Sequence, residues 1–310
     1  MKILLVHPRK GLFSMTVCSY CNHQFECQNC DAKLTTYRSG ENYLELVCHQ
    51  CQSYYNYPNI CPVCHNSNIV SMFGGIDDLA ETVEKELNQN VIRLDKLTSQ
   101  NLINKAITDE DGTFLTTRVF DPAIDYKAFS KIIFIQAENL LASPDYLVFE
   151  ELIKNLTEIF LQINPETEII FDSNNSNQVF FSQLNGLSKD KILTWFETQL
   201  QQELLNRQKY RFPPFVNLLL ITTQEKTKQN SLDKIKSARD YFLKIKNELS
   251  EVTIGNVYPA RMLKRKGYFS HHIQLKYPKN YTNYFEFQKT VLGLAQLYHL
   301  QVRLNPRHTF

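Results

Sequence analysis

The 310-residue sequence contains no apolar run long enough to cross a bilayer. Runs such as 132–135 and 218–221 hold four residues, against the roughly 20 that a spanning helix needs. The opening Met1-Lys2-Ile3-Leu4-Leu5-Val6 gives way at once to His7, Pro8, Arg9 and Lys10, with no extended apolar core and no small-residue cleavage site. A cytoplasmic protein without a membrane partner is the expectation. A Gly-x-x-x-x-Gly-Lys-Ser/Thr loop is also missing, since none of the nine glycines precedes a lysine. Between Arg118 and Arg207 there is no arginine, so this stretch offers no finger for a nucleotide γ-phosphate. No histidine outside residues 18–65 stands in a recognisable nucleophile motif, and no cysteine occurs after Cys64. No catalytic residue is expected, and ATP is not expected as a cofactor.

What is present begins with those cysteines. All eight fall in four Cys-x-x-Cys pairs: Cys18/Cys21, Cys27/Cys30, Cys48/Cys51 and Cys61/Cys64. Such a pair in a tight turn aims two thiolates at one tetrahedral ion, so two pairs complete one site and eight cysteines imply two zinc ions. The 17 residues between Cys30 and Cys48 match zinc-ribbon spacing. Residues 33–37 and 43–47 read as strands joined by a turn at Ser39-Gly40-Glu41-Asn42, which brings the two inner pairs together. The outer pairs are then left to share the second ion; a cross-braced pairing is the alternative. Disulfides would need an oxidising compartment and leave the repeated spacing unexplained. Four thiolates close the coordination shell, so the expected role is structural. His23, His49 and His65 adjoin the pairs as potential substitute ligands and read as exposed neighbours.

After Cys64 strands and helices alternate. Strands are expected over 69–73, 91–95, 113–117, 131–136 and 168–172, with helices over 77–87 and 146–163, a pattern that implies a parallel α/β sheet. An Asn- and Ser-rich break follows over 174–189, then a helix over 193–207 and the extended Arg211-Phe212-Pro213-Pro214-Phe215. Strands at 216–222, 252–257, 272–277 and 301–304, with helices at 231–249 and 284–298, give the order β-α-β-β-α-β of a ferredoxin-like sandwich.

Charge divides along the same line. Residues 1–204 carry 15 basic and 26 acidic side chains; residues 205–310 carry 19 and 6. A cationic domain of this kind is a footprint for nucleic acid. Arg261, Lys264, Arg265 and Lys266 lie just before Tyr268, Phe269, His271 and His272, interleaving cations with rings as a phosphate-tracking, base-stacking surface requires. Arg261, Lys264, Arg265, Lys266, Tyr268 and His271 are the expected DNA contacts.

The cysteine series resembles the zinc insert of the primosomal protein N′ (PriA) family of replication-restart helicases. Leu4-Leu5-Val6-His7-Pro8-Arg9-Lys10-Gly11 looks like the strand preceding that insert, and Phe73-Gly74-Gly75-Ile76-Asp77-Asp78 like the segment following it. Residues 91–95 look like a further segment of the second RecA-like lobe. Asn206-Arg207, Arg211-Phe212-Pro213-Pro214-Phe215 and Gly255-Asn256-Val257-Tyr258-Pro259-Ala260 resemble signatures of the family's C-terminal domain.

The resemblance implies a RecA-like second helicase lobe over 1–190, carrying a two-zinc insert at 14–67. An α+β, ferredoxin-like DNA-binding domain would follow over 191–310. It implies nested ligand sets (Cys18, Cys21, Cys61, Cys64 and Cys27, Cys30, Cys48, Cys51), forked or single-stranded DNA as ligand, and primosome proteins as partners. The family's amino-terminal DNA-binding domain and first helicase lobe have no counterpart in this sequence. Lys154-Asn155-Leu156-Thr157-Glu158-Ile159-Phe160 stands where the family has a Gly-Arg-rich motif for ATP hydrolysis, and Thr116-Thr117-Arg118 where it has Gly-Thr-Gln. The implied role is binding and recruitment in replication restart without unwinding; half of a split helicase, or a protein-interaction scaffold, are the alternatives.

Overall fold

A computed structural model of the chain describes residues 1–9, 11–40, 43–94, 108, 111–117, 119–173 and 179–309. Lys10, the turn residues Glu41 and Asn42, Asp95 of the strand at 91–95, Arg118, and residues 174–178 of the expected break lie outside the described residues. The chain forms two compact units.

The first unit comprises Met1–Phe25, Lys33–Ser143 and Val148–Leu200. Its strands are β1 (Lys2–Val6), β2 (Phe13–Cys18), β3 (Thr35–Ser39), β4 (Tyr43–Val47), β5 (Tyr54–Asn56), β6 (Ile69–Gly74), β7 (Val91–Arg93), β8 (Gly112–Thr116), β9 (Lys131–Phe134) and β10 (Glu168–Phe171). Its helices are α1 (Ile76–Leu87), α2 (Val148–Gln162), α3 (Val179–Leu184) and the part of α4 (Lys189–Lys209) that ends at Leu200.

Strands β10-β9-β1-β8-β7 make a parallel sheet in that order. Near-continuous apolar strands are what a sheet covered on both faces needs, and the two faces separate by residue parity. Leu4, Val6, Phe114, Ile132 and Phe134 share one core with Leu152, Ile153, Leu156, Ile159 and Phe160 of α2. Leu5 and Leu115 turn the other way, onto Ile76 and Ala80 of α1. The helix α3 lies within the stretch expected to be a break. Its Phe181 is fully buried and tilts against Phe171, so aromatic packing overrides a polar local sequence.

Between β1 and α1 the chain makes an antiparallel sheet, β5-β4-β3-β2-β6. Its entry is at Gly11, whose φ is +74° and where a Cβ would stand 2.5 Å from Thr35 Cγ2 and 2.8 Å from Thr36 O. Only glycine fits there. The interior of this small sheet is partly hydroxylic: Thr16, Thr36 and Ser71 hydrogen-bond one another at 2.9–3.1 Å, and Tyr57 Oη lies 3.0 Å from Ser71 Oγ. Such a core buries little apolar area.

The second unit comprises Glu26–Ala32, Pro144–Leu147 and Gln201–Phe310. It contains β11 (Val216–Thr222), α5 (Lys228–Lys244), β12 (Thr253–Ile254), β13 (Tyr258–Arg265), β14 (Tyr268–Pro278), α6 (Tyr284–Tyr298) and β15 (Gln301–Leu304). The antiparallel sheet runs β12-β14-β11-β15, with β13 also paired to β14. Leu219, Ile221, Ile273, Leu275 and Tyr277 form its core with Ile235, Ala238 and Phe242 of α5 and Phe287, Val291 and Leu294 of α6. Alternation therefore sends Leu220, Thr222 and His272 to the opposite face, where all three are also buried. The stretch 258–265, where no strand was expected, is a strand, and the expected strand 272–277 begins at Tyr268. Arg207 of α4 is buried, bonding Glu203 Oε1 at 2.9 Å and Tyr146 O at 3.0 Å, so this cation serves the fold.

Candidate metal centres and a basic groove

Three of the four cysteine turns are built alike. The amide of the first cysteine donates to the carbonyl five residues on: Cys18 to His23, Cys48 to Ser53 and Cys61 to Asn66, each at 2.9 Å. The amide four residues after that cysteine then donates back to its carbonyl, from Asn22, Gln52 and His65. These three residues adopt left-handed backbone, with φ of 59°, 67° and 56°. The turn at Cys27 shares the first bond (Cys27 N to Ala32 O, 2.9 Å) but not the second.

These turns assemble two groups, Cys18/Cys21/Cys61/Cys64 and Cys27/Cys30/Cys48/Cys51, each with its four sulfurs within 4.8 Å of one another. The nested pairing is the one found. Cys18 Sγ stands 3.6 Å from Cys64 Sγ, and Cys21 Sγ 3.6 Å from Cys61 Sγ. That is far beyond a disulfide bond of about 2 Å. It is close to the ~3.8 Å edge of a tetrahedron with metal–sulfur bonds of about 2.3 Å. Two four-cysteine groups able to hold metal ions are thus present.

As free thiols, the outer four compete for protons. The Cys21 backbone amide and then that of Tyr20 draw the Cys18 thiol down to about 7, helped by hydrogen bonds from Cys64 and Cys21 and opposed by burial. Against a lowering bond from the Asn66 amide, burial and the hydrogen bonds to the other three sulfurs push Cys64 up to about 12. Thiols so crowded cannot all ionise without a cation, and an ion resolves the competition. The histidines stay outside both groups: His49 Nε2 is 3.0 Å from Tyr37 Oη, and the His23 ring packs edge-on to Phe25.

On the face of the second unit's sheet opposite its two helices lies a groove of about 560 Å³. Register explains its lining. Thr222 pairs with His272 across to β14, Leu220 with Arg303 and Thr222 with Gln301 across to β15, so these side chains share one face. Arg261, Arg265 and Lys266 of the β13–β14 hairpin add three cations to the wall, and His308 closes the end. His308 is held there by Asp145, whose carboxylate also accepts from the Thr309 amide and hydroxyl.

The expected DNA contacts divide accordingly. Arg261, Arg265 and Lys266 line the groove. Lys264 does not: its Nζ donates to Gln28 O at 2.7 Å. The Tyr268 ring is covered by Lys226 Nζ at 3.7 Å from its centroid. His271 is buried, with Nδ1 2.8 Å from Ser231 Oγ, and burial lowers its pKa. Arg303 and His308 complete the groove without having been expected from sequence, because their place depends on β15 and the C-terminal segment lying beside distant strands. Among the described residues no helix is long and apolar enough to cross a membrane.

No family model matches the chain. It is similar to proteins named replication restart protein PriA. That of Thermotoga maritima is 24% identical over 299 residues, covering 89% of this chain and 36% of the relative. That of Borreliella burgdorferi is 24% identical over 275 residues, 85% of this chain and 39% of the relative. That of Synechocystis sp. is 22% identical over 310 residues, 95% and 35% respectively. The chain thus spans a little over a third of the length of the curated relatives it matches.

Proposed function

We infer that the chain, a partial PriA-like relative, serves replication restart in the cytoplasm as a binding module. It holds two structural zinc ions, grips forked or single-stranded DNA and recruits replication proteins. Zinc suits a cysteine-only donor set in which no ligand position is left open for chemistry.

The observation that carries DNA binding is the convergence of Arg261, Arg265, Lys266 and Arg303 around one groove. Cations along a groove track phosphates. The strand order β12-β14-β11-β15 with two helices on one face supports a ferredoxin-like reading of residues 191–310. The parallel order β10-β9-β1-β8-β7 supports reading residues 1–190 as a RecA-like lobe with its zinc insert at 14–67. The role is binding rather than ATP hydrolysis, because the sequence holds no phosphate loop and α2 spends its apolar side chains on the core.

The test is fluorescence anisotropy with a labelled fork, comparing the wild type with the triple variant Arg261→Gln/Arg265→Gln/Arg303→Gln. The salt slope should fall by about one unit per phosphate contact removed, with affinity falling about equally for all sequences. A variant that binds as the wild type does moves the DNA site elsewhere.

A further inference from the structure

The turn at Cys27 departs from the other three, and the departure has a partner. In the other turns the amide four residues after the first cysteine folds back onto that cysteine's carbonyl. Here that amide belongs to Asp31, and it donates instead to Lys264 O at 2.9 Å. The exchange is reciprocal: the Lys264 amide donates to Asp31 Oδ2 at 2.7 Å.

Three more bonds run from the hairpin into the same turn. Lys264 Nζ reaches Gln28 O at 2.7 Å, the Gly267 amide reaches Asn29 O at 2.8 Å, and the Lys266 amide reaches Cys30 Sγ at 3.4 Å. Every residue from Gln28 to Asp31 therefore accepts from the hairpin. Both partners lie within the second unit.

The hairpin needs such support. Arg265 pairs with Tyr268, so Lys266 and Gly267 are the two central residues of the connection, with φ of 50° and 79°. Positive φ at both positions is the geometry of a type I′ turn, which favours Asn-Gly. Lysine carries a Cβ that disfavours it. The strained turn is held by acceptors on the cysteine loop, and it stands between Arg265 and the aromatic start of β14.

We propose that the Cys27–Cys30 turn is a metal-dependent clamp on the basic β13–β14 hairpin, with Asp31 as its positioning residue, that fixes Arg261, Arg265 and Lys266 along the groove. A thiolate bound to metal stays anionic and directed, so its bond from the Lys266 amide persists, as outer-sphere donors to metal ligands do. A protonated, unligated Cys30 is a weaker acceptor on a looser loop. Metal binding by the Cys27–Cys30 turn is thereby linked to the pose of cations more than 230 residues away in sequence. Two neighbouring cations follow different fates: Lys264 belongs to the clamp, and Lys266 contributes its amide to the clamp and its ammonium to the groove. The clamp stands independently of the nucleic-acid reading; its effect on binding rests on that reading.

Amide hydrogen exchange on the full chain tests it, with the zinc-loaded wild type compared with Asp31→Ala and Asp31→Asn, neither of which removes a metal ligand. In Asp31→Ala the amides of Lys264, Lys266 and Gly267 should exchange about tenfold faster, the factor expected for losing one hydrogen bond of ordinary strength. Asp31→Asn keeps an oxygen acceptor and should restore most of the protection. Metal removal should release the same amides while α5 stays protected. Labelled oligonucleotide affinity is read in parallel. Exchange that rises while the wild type itself binds no oligonucleotide upholds the clamp and removes the DNA reading. Unchanged exchange in Asp31→Ala overturns the clamp, whatever the affinities.

Discussion

The two adjacent histidines of β14 face opposite ways and report on different interiors. His271 turns to α5, where Ser231 and Thr223 take up its polar atoms. His272 turns to the groove, with Nδ1 2.9 Å from Thr222 Oγ1. Burial, then the charge of Arg303, then His271, lowers its pKa to about 4. At neutral pH it is therefore an uncharged member of the groove, and the fixed positive charge there is that of Arg261, Arg265, Lys266 and Arg303. Because the unfolded chain takes up the proton near pH 6.5 and the folded one only near 4, stability is full above pH 6.5 and falls as the pH drops through that interval. The loss at the acid end is about 3 kcal/mol. Acid also releases metal from thiolates, so the quantity to measure is the difference between the wild type and His272→Gln. Urea midpoints compared at about pH 4.5 and about pH 7, either side of most of that interval, should show the variant losing less than the wild type. Equal losses would mean that His272 is not the titrating group.

Among elements, α5 shows how far pattern carries. The apolar spacing of Leu232, Ile235, Phe242, Ile245 and Leu249 predicts a helix to residue 249; the helix ends at Lys244, with Ile235, Ala238 and Phe242 fully buried against the sheet. Phe242→Ala should cost about 3–5 kcal/mol, read as a lowered melting temperature of this unit. Helix α6 and strands β11 and β15 fall where the sequence pattern puts them; α6 buries Phe287, Val291 and Leu294, and β11 is buried almost throughout. Strand β13 was hidden, since Pro259 interrupts it and its cations resemble a loop; its pairing with β14 defines it, and local sequence does not contain that partner. The cysteine groups were legible because a knuckle is a local object whose spacing encodes its geometry. The choice between nested and crossed pairing was less so, resting on the hairpin of β3 and β4, which the structure forms with register Thr35↔Val47 to Ser39↔Tyr43. Arg303 illustrates the remainder: nothing near it in sequence says that β15 will lie beside β11.

For the molecule as a whole, the division of charge is the plainest functional signal. A net charge of −11 over residues 1–204 against +13 over 205–310 gives a chain whose sum of +2 conceals two oppositely charged parts. The basic part carries the groove, and the chain as a whole is similar to PriA proteins over only a little more than a third of their length. The central claim, that this chain holds DNA by its phosphates, is tested most directly by the affinity of the zinc-loaded wild type for a labelled fork across a salt series. With four fixed cations in the groove, log K should fall linearly with log salt at a slope of about −3 to −4. No binding at low salt, or an affinity indifferent to salt, would contradict it.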